Sequence, residues 1–283
     1  MVISRFAGTV VLALVLLAAP AAAPAATFPS RIVSLSPTAT EDLFAIGAGK
    51  QVVAVDAQSN YPASAPKTTL SGYQPNAEAI AAYKPDLVVI SNDLGGIVRA
   101  LNTLHVKVML EPAAATLDEA YGQLEQLGKA TGHERQAASV VARMRTQIAS
   151  IASSVPRLAK PITVYHELDK TLYSATSKTF IGRIYTLLGL RDIADAAKSG
   201  HGYPQLSSEY IVKSDPNLIV LADSIYGAQT PAKIAKRPGW KTITAVKEGH
   251  VVPVSDDIAS RWGPRIVDFL RQIAAVVKVV AAT

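Results

Sequence analysis

The alternation of short apolar runs with helical patterns constrains the fold of this 283-residue chain more than any other feature. Strand and helix in strict alternation imply parallel strand pairing with right-handed crossovers, so we predict an α/β fold. The predicted strands are 31–35, 51–55, 86–90, 106–110, 162–165, 218–221 and 251–254. The predicted helices are 38–46, 76–83, 98–104, 117–131, 134–155, 179–188, 207–213, 240–246 and 264–280.

One helical pattern near the middle of the chain is much longer than the others. From Glu134 to Val155, apolar residues follow the spacing of one helix face, and Pro156 and Pro161 come directly after. At the rise of an α-helix this segment is about 33 Å long. We interpret it as a connection between two α/β lobes with parallel sheets. The expected organisation is a signal peptide at 1–26, an N-terminal lobe at 27–133, an inter-lobe helix at 134–158 and a C-terminal lobe at 159–283.

The two halves of the chain share a motif with matched spacing. In the first half, a Gly-Tyr pair ending at Tyr73 is followed by Glu78, an Ile two residues later and a Pro seven residues after the Glu. Tyr203 and Glu209 repeat this arrangement in the second half, with the same Glu–Ile and Glu–Pro spacings. In parallel sheets, the loops at the carboxyl ends of strands line the ligand crevice. We therefore expect the two loops on opposite walls of one cleft.

The first 26 residues have the layout of a secretory signal peptide. Arg5 provides a positive start, ten apolar residues follow at 10–19, and 21–26 is mostly alanine. The sequence contains no cysteine, which excludes disulfides, thiolate metal sites and a lipid on an N-terminal cysteine. We expect a protein that is free in a periplasm or secreted, and not a lipoprotein.

Charge and motif content argue against several other classes. The net charge of +6 is spread over the chain, without the Lys and Arg stripes typical of nucleic-acid binding. No Gly-x-Ser-x-Gly elbow or His-Glu-x-x-His motif is present, so we expect no enzyme and no catalytic residues. His166 and His201, with Glu167 or Asp257, offer the alternative of a bare-metal receptor. Because this set falls short of the usual number of ligands, we predict no metal site.

Several fragments, in their order along the chain, are similar to the cobalamin and ferric-siderophore binding proteins of ABC importers. The fragments are 31–37 with Thr40-Glu41, the Asn60-Tyr61-Pro62 turn, 76–90, 203–209 and 255–266. This resemblance covers nearly all of the chain after the signal peptide. It implies two lobes joined by one rigid helix, a monomer, and a permease dimer with its ATPase as partner. It also implies that Glu78 and Glu209 dock into arginine pockets of that transporter, for which bidentate Arg–carboxylate pairs are well suited.

The resemblance further implies a bulky transported ligand and no cofactor of the protein's own. Cobalamin is favoured; a ferric siderophore, haem, or a surface binding module without transport are the alternatives. The expected ligand-binding residues are Tyr73, Tyr203, Asp257, Arg261, Trp262 and His201, with the aromatic rings beside a flat macrocycle and Arg261 beside an anionic chelate. Two features leave the ligand open. Tyr73 matches by position the tyrosine that ligates haem iron in relatives, and Gln58 is polar where some cobalamin binders have an aromatic residue.

Overall fold

The computed structural model describes residues 28–197 and 202–282, so the predicted signal peptide and His201 lie outside the described residues. The first half forms a four-stranded parallel sheet. Its strands are β1 (Ile32–Leu35), β2 (Val52–Val55), β3 (Leu87–Ile90) and β4 (Val108–Leu110). Its helices are α1 (Pro37–Ala45), α2 (Ala77–Ala81), α3 (Ile97–Thr103) and α4 (Leu117–Thr131).

A second four-stranded parallel sheet follows a long helix, α5 (Glu134–Ser153). Its strands are β5 (Thr163–Glu167), β6 (Arg191–Asp192), β7 (Leu218–Leu221) and β8 (Val251–Pro253). The helices of this half are α6 (Phe180–Leu187), α7 (Ser208–Ser214), α8 (Pro231–Ile234), α9 (Thr244–Lys247), α10 (Asp256–Ser260) and α11 (Ile266–Val280). The predicted α/β fold with two parallel sheets and one long connecting helix is confirmed.

The two sheets have the same topology. The strand order is β2-β1-β3-β4 in the first sheet and β6-β5-β7-β8 in the second, so each strand of one half has a counterpart in the other. Helix α2, which connects β2 to β3, corresponds to α7, which connects β6 to β7. The motif that repeats in the sequence therefore lies at equivalent places in the two lobes.

Helix α5 packs against α4 of the first lobe and α11 of the second. Its contact with α4 is close, because a Cβ atom on Gly128 would lie 2.5 Å from the Cβ of Ala137. One buried apolar cluster continues from the first sheet through α4 and α5 into the second sheet and α11. The helix ends at Ser153 rather than at the predicted Val155. No helix within residues 28–197 and 202–282 combines the length and apolar content that crossing a membrane requires.

Short elements account for most differences between the predicted and observed structure. Strand β6 is only two residues long, and α8 and α10 are four and five residues, too short to show a periodic pattern. The helix predicted over 240–246 is interrupted at Ile243, whose backbone is extended with ψ of 132°. A left-handed backbone follows α1 at Gly47, and Gly49 lies within a 3-10 turn.

Candidate ligand-binding site between the lobes

The first helix places a buried glutamate at the face between the lobes. Ser36 directly follows β1 and its hydroxyl accepts a hydrogen bond from the Ala39 amide, while Pro37 occupies the first turn of α1. Ser at the N-cap and Pro in the first turn are both strong helix-start signals. Because the helix starts immediately after the strand, Glu41 lies near the carboxyl edge of the sheet, with its side chain 2% exposed.

Glu41 is bound by two arginines of the other lobe. Its Oε1 accepts a hydrogen bond from Arg261 Nη1 at 2.7 Å, and its Oε2 accepts one from Arg265 Nε at 2.7 Å. A second nitrogen of Arg265 also donates to Glu41. These bonds join parts of the chain that are more than 200 residues apart, so the carboxyl edges of the two sheets face each other.

Asn60 and Asp257 extend these bonds into a cross-lobe cluster, which we define as Glu41, Asn60, Asp257, Arg261 and Arg265. Arg261 Nη2 donates to Asp257 Oδ1 at 2.7 Å, and Asn60 Nδ2 donates to Asp257 Oδ2 at 2.7 Å. The side-chain oxygen of Asn60, Oδ1, accepts a hydrogen bond from Arg261 Nη1 at 2.9 Å. The cluster contains two cations and two carboxylates, so its charges balance.

Arg261, which we expected beside an anionic chelate, is buried and already paired. The residue is 7% exposed, and its guanidinium donates to Glu41, Asp257, Asn60 and the Gln58 carbonyl. Desolvated charges are stable only when paired and hydrogen-bonded in this way. Contact of Asp257 or Arg261 with a ligand remains a prediction, and it requires that these bonds be shared or broken.

Trp262, which we also expected to contact the ligand, reaches the first lobe through a hydrogen bond. Its indole packs, half-buried, against the main apolar cluster, and its Nε1 donates a hydrogen bond of 2.7 Å to Gln123 Oε1 on α4. Trp262 follows β8 and α10 in the second lobe, so this bond is another contact between the lobes. The half-buried ring and its paired N–H make Trp262 a part of the junction, and its contact with a ligand remains a prediction.

Five tyrosines with exposed rings lie on loops that follow the carboxyl ends of strands. Tyr61 and Tyr73 follow β2, Tyr173 follows β5, Tyr203 follows β6 and Tyr226 follows β7. Their exposure ranges from 40% for Tyr173 to 73% for Tyr73. Both lobes therefore contribute aromatic surface at the edge where the sheets face each other. The sequence analysis predicted only Tyr73 and Tyr203. A search for aromatic residues in the loops that follow the predicted strands would have found the other three.

Two of these tyrosines already contact the opposite lobe. The guanidinium carbon of Arg265 lies 4.2 Å from the ring centroid of Tyr61, a cation–π geometry. The hydroxyl of Tyr226 lies 3.2 Å from Asn60 Nδ2 of the first lobe. The exposed aromatic side chains and the cross-lobe cluster therefore form one continuous region.

Buried carboxyl groups surround this region. Asp42 on α1, Glu111 after β4 and Asp223 after β7 are buried, and each has at least one oxygen without a hydrogen-bond partner among the described residues. Desolvation raises the pKa of Glu111 and that of Asp223 to about 7. Burial, with the neighbouring charge of Glu41, raises the pKa of Asp42 well above its usual value. The face between the lobes therefore contains buried acids whose pKa values lie above the usual range of carboxyl groups.

The two glutamates predicted to dock a transporter have matching local structures. Glu78 is in the first turn of α2, capped by Asn76, and Glu209 is in the first turn of α7, capped by Ser207. Both are exposed, and within the described residues neither carboxylate has a hydrogen bond or an ion pair. Since α2 and α7 are topological counterparts, the glutamates occupy equivalent positions on the two lobes. Their role in docking remains a prediction.

The alternative of a bare-metal receptor named His166 and His201 with Glu167 or Asp257, and of these His201 lies outside the described residues. His166 is fully buried with Nδ1 2.6 Å from the Tyr185 hydroxyl, and burial lowers the pKa of His166 to about 3. Glu167 faces away from it and accepts two hydrogen bonds from the Arg237 guanidinium. In the part of the chain that the structure describes, no group of three or more His, Asp or Glu side chains could hold a metal ion.

Residues 32–257 match the family of periplasmic binding proteins, and the chain belongs to this family. Over 255 residues it is 33% identical to a Halobacterium salinarum protein named cobalamin-binding protein, covering 87% of this chain and 69% of the relative. It is 30% identical over 255 residues to the Bacillus subtilis uncharacterized ABC transporter substrate-binding lipoprotein YvrC, covering 87% and 79%. The structure of the periplasmic heme-binding protein RhuT from Roseiflexus sp. RS-1, in apo form, has the same fold. Its TM-score is 0.78 at 20% identity, covering 89% of this chain and 99% of that one.

Members of this family are binding proteins that work outside the cytoplasm. The family is that of periplasmic binding proteins, substrate-binding components of ABC transporters. One relative is named a lipoprotein, so membership does not support the predicted absence of a lipid anchor. That expectation rests on the lack of cysteine in this sequence alone. The predicted monomer likewise stays a prediction.

Proposed function

We propose that this protein is the extracytoplasmic substrate-binding protein of an ABC importer and that it carries a corrinoid of the cobalamin type between its lobes. The observation that carries the proposal is the set of five exposed tyrosines on strand-end loops of both lobes. Tyrosine rings offer a large apolar surface with one polar tip, which suits a flat macrocycle with polar substituents. Its mechanism is binding and release, without covalent chemistry.

Charge favours a corrinoid over a more anionic ligand. Cobalamin presents mainly neutral amide side chains around its ring, whereas haem presents two propionates. The arginines of the cross-lobe cluster are already paired with Glu41 and Asp257, so they add no uncompensated positive charge. The Halobacterium relative, which bears the name cobalamin-binding protein, supports the same assignment.

Haem is the second candidate, and one observation favours it. Tyr73 is 73% exposed, and its hydroxyl has no hydrogen-bond partner among the described residues. A tyrosine oxygen can serve as an axial ligand of haem iron. The RhuT structure shows that the same fold occurs in a protein named for haem binding.

The ligand can be identified by titration of the purified protein. Cobalamin, haemin and a ferric hydroxamate are each added while visible absorption and the heat of binding are followed. We expect saturable one-to-one binding of cobalamin. Saturable binding of haemin, with a spectrum that changes in Tyr73→Phe, would refute the corrinoid assignment in favour of haem. Binding of none of the three would refute the ligand class as a whole.

Transporter docking is the second part of the proposal. Glu78 and Glu209 are exposed carboxylates on equivalent helices, one for each subunit of a two-fold symmetric permease. Arginine–carboxylate pairs across such an interface steer the encounter and fix its orientation. The two positions therefore supply the separated anchoring points that orient a two-lobed protein on its transporter.

Charge reversal tests this role. Glu78→Arg and Glu209→Arg should each weaken binding to the importer by about tenfold or more, as expected for charge-assisted hydrogen bonds, while ligand affinity is unchanged. Glu134→Arg is the matched control, because Glu134 is also exposed in the first turn of a helix. Importer binding that survives the double reversal would refute the docking role of these two glutamates. No importer binding by the wild-type protein would favour a surface binding module without transport.

A further inference from the structure

The loop after β7, residues 223–229, is firmly held at its base. The Ile225 amide donates to Asp256 Oδ2 at 2.8 Å, and the Gln229 amide donates to the Asp223 carbonyl at 3.2 Å. Gly227 packs directly on this base, since a Cβ atom there would lie 2.7 Å from the Asp223 carbonyl oxygen. The loop is therefore a fixed projection from the second lobe.

The tip of the 223–229 loop carries two large side chains that are exposed to solvent. Ile225 is 56% exposed and Tyr226 is 63% exposed. Exposed apolar residues side by side, on a loop whose base is rigid, are typical of a contact surface rather than of a core. The tip projects from the carboxyl edge of the sheet, where the other exposed tyrosines also lie.

The hydroxyl of Tyr226 is hydrogen-bonded to residues of both lobes, although its ring is exposed to solvent. It accepts a hydrogen bond from Asn60 Nδ2 at 3.2 Å and donates one to Asp257 Oδ1 at 3.3 Å. Burial and the neighbouring Asp257 raise the pKa of Tyr226, so the hydroxyl stays protonated and able to donate. The polar end of the side chain is thus anchored to both lobes, while the ring itself remains exposed.

We propose that Tyr226 is a specificity-determining ligand contact whose ring packs against the bound macrocycle while its hydroxyl remains bonded to Asn60 and Asp257. This inference rests on the proposed function, because a flat ligand between the lobes is what the ring would contact. A ring held at its tip loses little conformational freedom on binding, which favours affinity and selects for ligands with a flat face at this position. The contact also connects the ligand to a bond that joins the two lobes.

Two substitutions separate the ring from the hydroxyl. Tyr226→Ala removes both and should weaken the binding of whichever ligand the wild-type protein binds by about tenfold. Tyr226→Phe keeps the ring and should retain affinity within about threefold. Phe28→Ala is the control for loss of an exposed aromatic side chain, because Phe28 is 49% exposed and precedes the first strand. Affinities are measured by calorimetry with cobalamin, haemin and a ferric hydroxamate, after thermal denaturation has confirmed that each variant is folded.

The outcomes distinguish this inference from the function it rests on. Wild-type affinity in Tyr226→Ala would overturn the role of Tyr226 and leave the function standing. An equal loss of ligand affinity in Tyr226→Phe and Tyr226→Ala would assign the effect to the hydroxyl and overturn ring packing. If Tyr226→Ala fails to fold, a loss of affinity of about tenfold in Tyr226→Phe alone would have the same meaning. Binding of none of the three ligands by the wild-type protein would overturn the function and this inference together.

Discussion

Removing the Glu41 carboxylate is expected to weaken the junction between the lobes more than any surface change. Glu41 is 2% exposed, and its partners Arg261 and Arg265 have side chains only 7% and 17% exposed. Glu41→Ala leaves two arginines in a poorly solvated site with one remaining carboxylate, that of Asp257. Breaking a buried ion pair from one side costs about 3–5 kcal/mol in the free energy of unfolding.

This cost corresponds to a measurable fall in thermal stability. For a domain of this size, each kcal/mol lowers the melting temperature by about 2–4 °C, so Glu41→Ala should melt about 6–20 °C below the wild type. Glu41→Gln retains one hydrogen-bond acceptor, so its melting temperature should lie between those of Glu41→Ala and the wild type. Circular dichroism at neutral pH provides the melting temperatures.

An exposed ion pair provides the control for this experiment. Asp268 and Arg271 pair on α11, and both side chains are 55% exposed. Such surface pairs contribute at most about 1 kcal/mol, so Asp268→Asn should lower the melting temperature by less than about 4 °C. If Glu41→Ala changes the melting temperature no more than Asp268→Asn does, the cross-lobe cluster is not the buried, solvent-shielded contact inferred from its geometry.

Two further predictions concern pH and ligand-induced motion. Burial raises the pKa of Asp223 to about 7. Between about pH 4 and pH 7 the folded protein therefore keeps a proton on Asp223 that the unfolded chain has lost. As a result, the contribution of Asp223 to stability falls as pH rises through this range. The difference in melting temperature between Asp223→Asn and the wild type should therefore grow from pH 5 to pH 8; a constant difference would contradict the assigned pKa. Ligand binding should change the radius of gyration in solution scattering by less than about 1 Å, because α5 and the continuous apolar cluster already fix the lobes. A larger fall would show that the junction is a hinge.

Local periodicity predicted the fold because each element carries its own signal. Helix α4 has the predicted bounds, Leu117–Thr131, since Thr116 caps its start and the left-handed Gly132 ends it. The equivalence of α2 and α7 was also visible, because Glu78 and Glu209 have the same spacing to the following strand. Strand β6 and the helices α8 and α10 were missed because their two to five residues show no periodic pattern and no apolar run.

The site was harder to predict because its partners are far apart in sequence. Arg261 and Glu41 are separated by 220 residues, and neither neighbourhood indicates that the other completes it. The resemblance pointed to Arg261 as a residue of interest, but the sequence could not show that two carboxylates neutralise it. Trp262 was placed beside a ligand for the same reason, since its contact with Gln123 depends on the packing of the two lobes.

Three glutamates show why burial, rather than residue type, decides the role of a charge here. Glu41 lies in the middle of α1, whereas Glu78 and Glu209 lie in the first turns of α2 and α7. Glu41 meets two arginines because the second lobe covers its end of α1, whereas the other two remain in water without a partner among the described residues. A desolvated carboxylate fixed by two guanidiniums stabilises the junction, and it is unavailable to any outside molecule. A solvated carboxylate contributes little to stability but is free to pair with an arginine of another protein. The same side chain can therefore join the lobes at one position and face a transporter at two others.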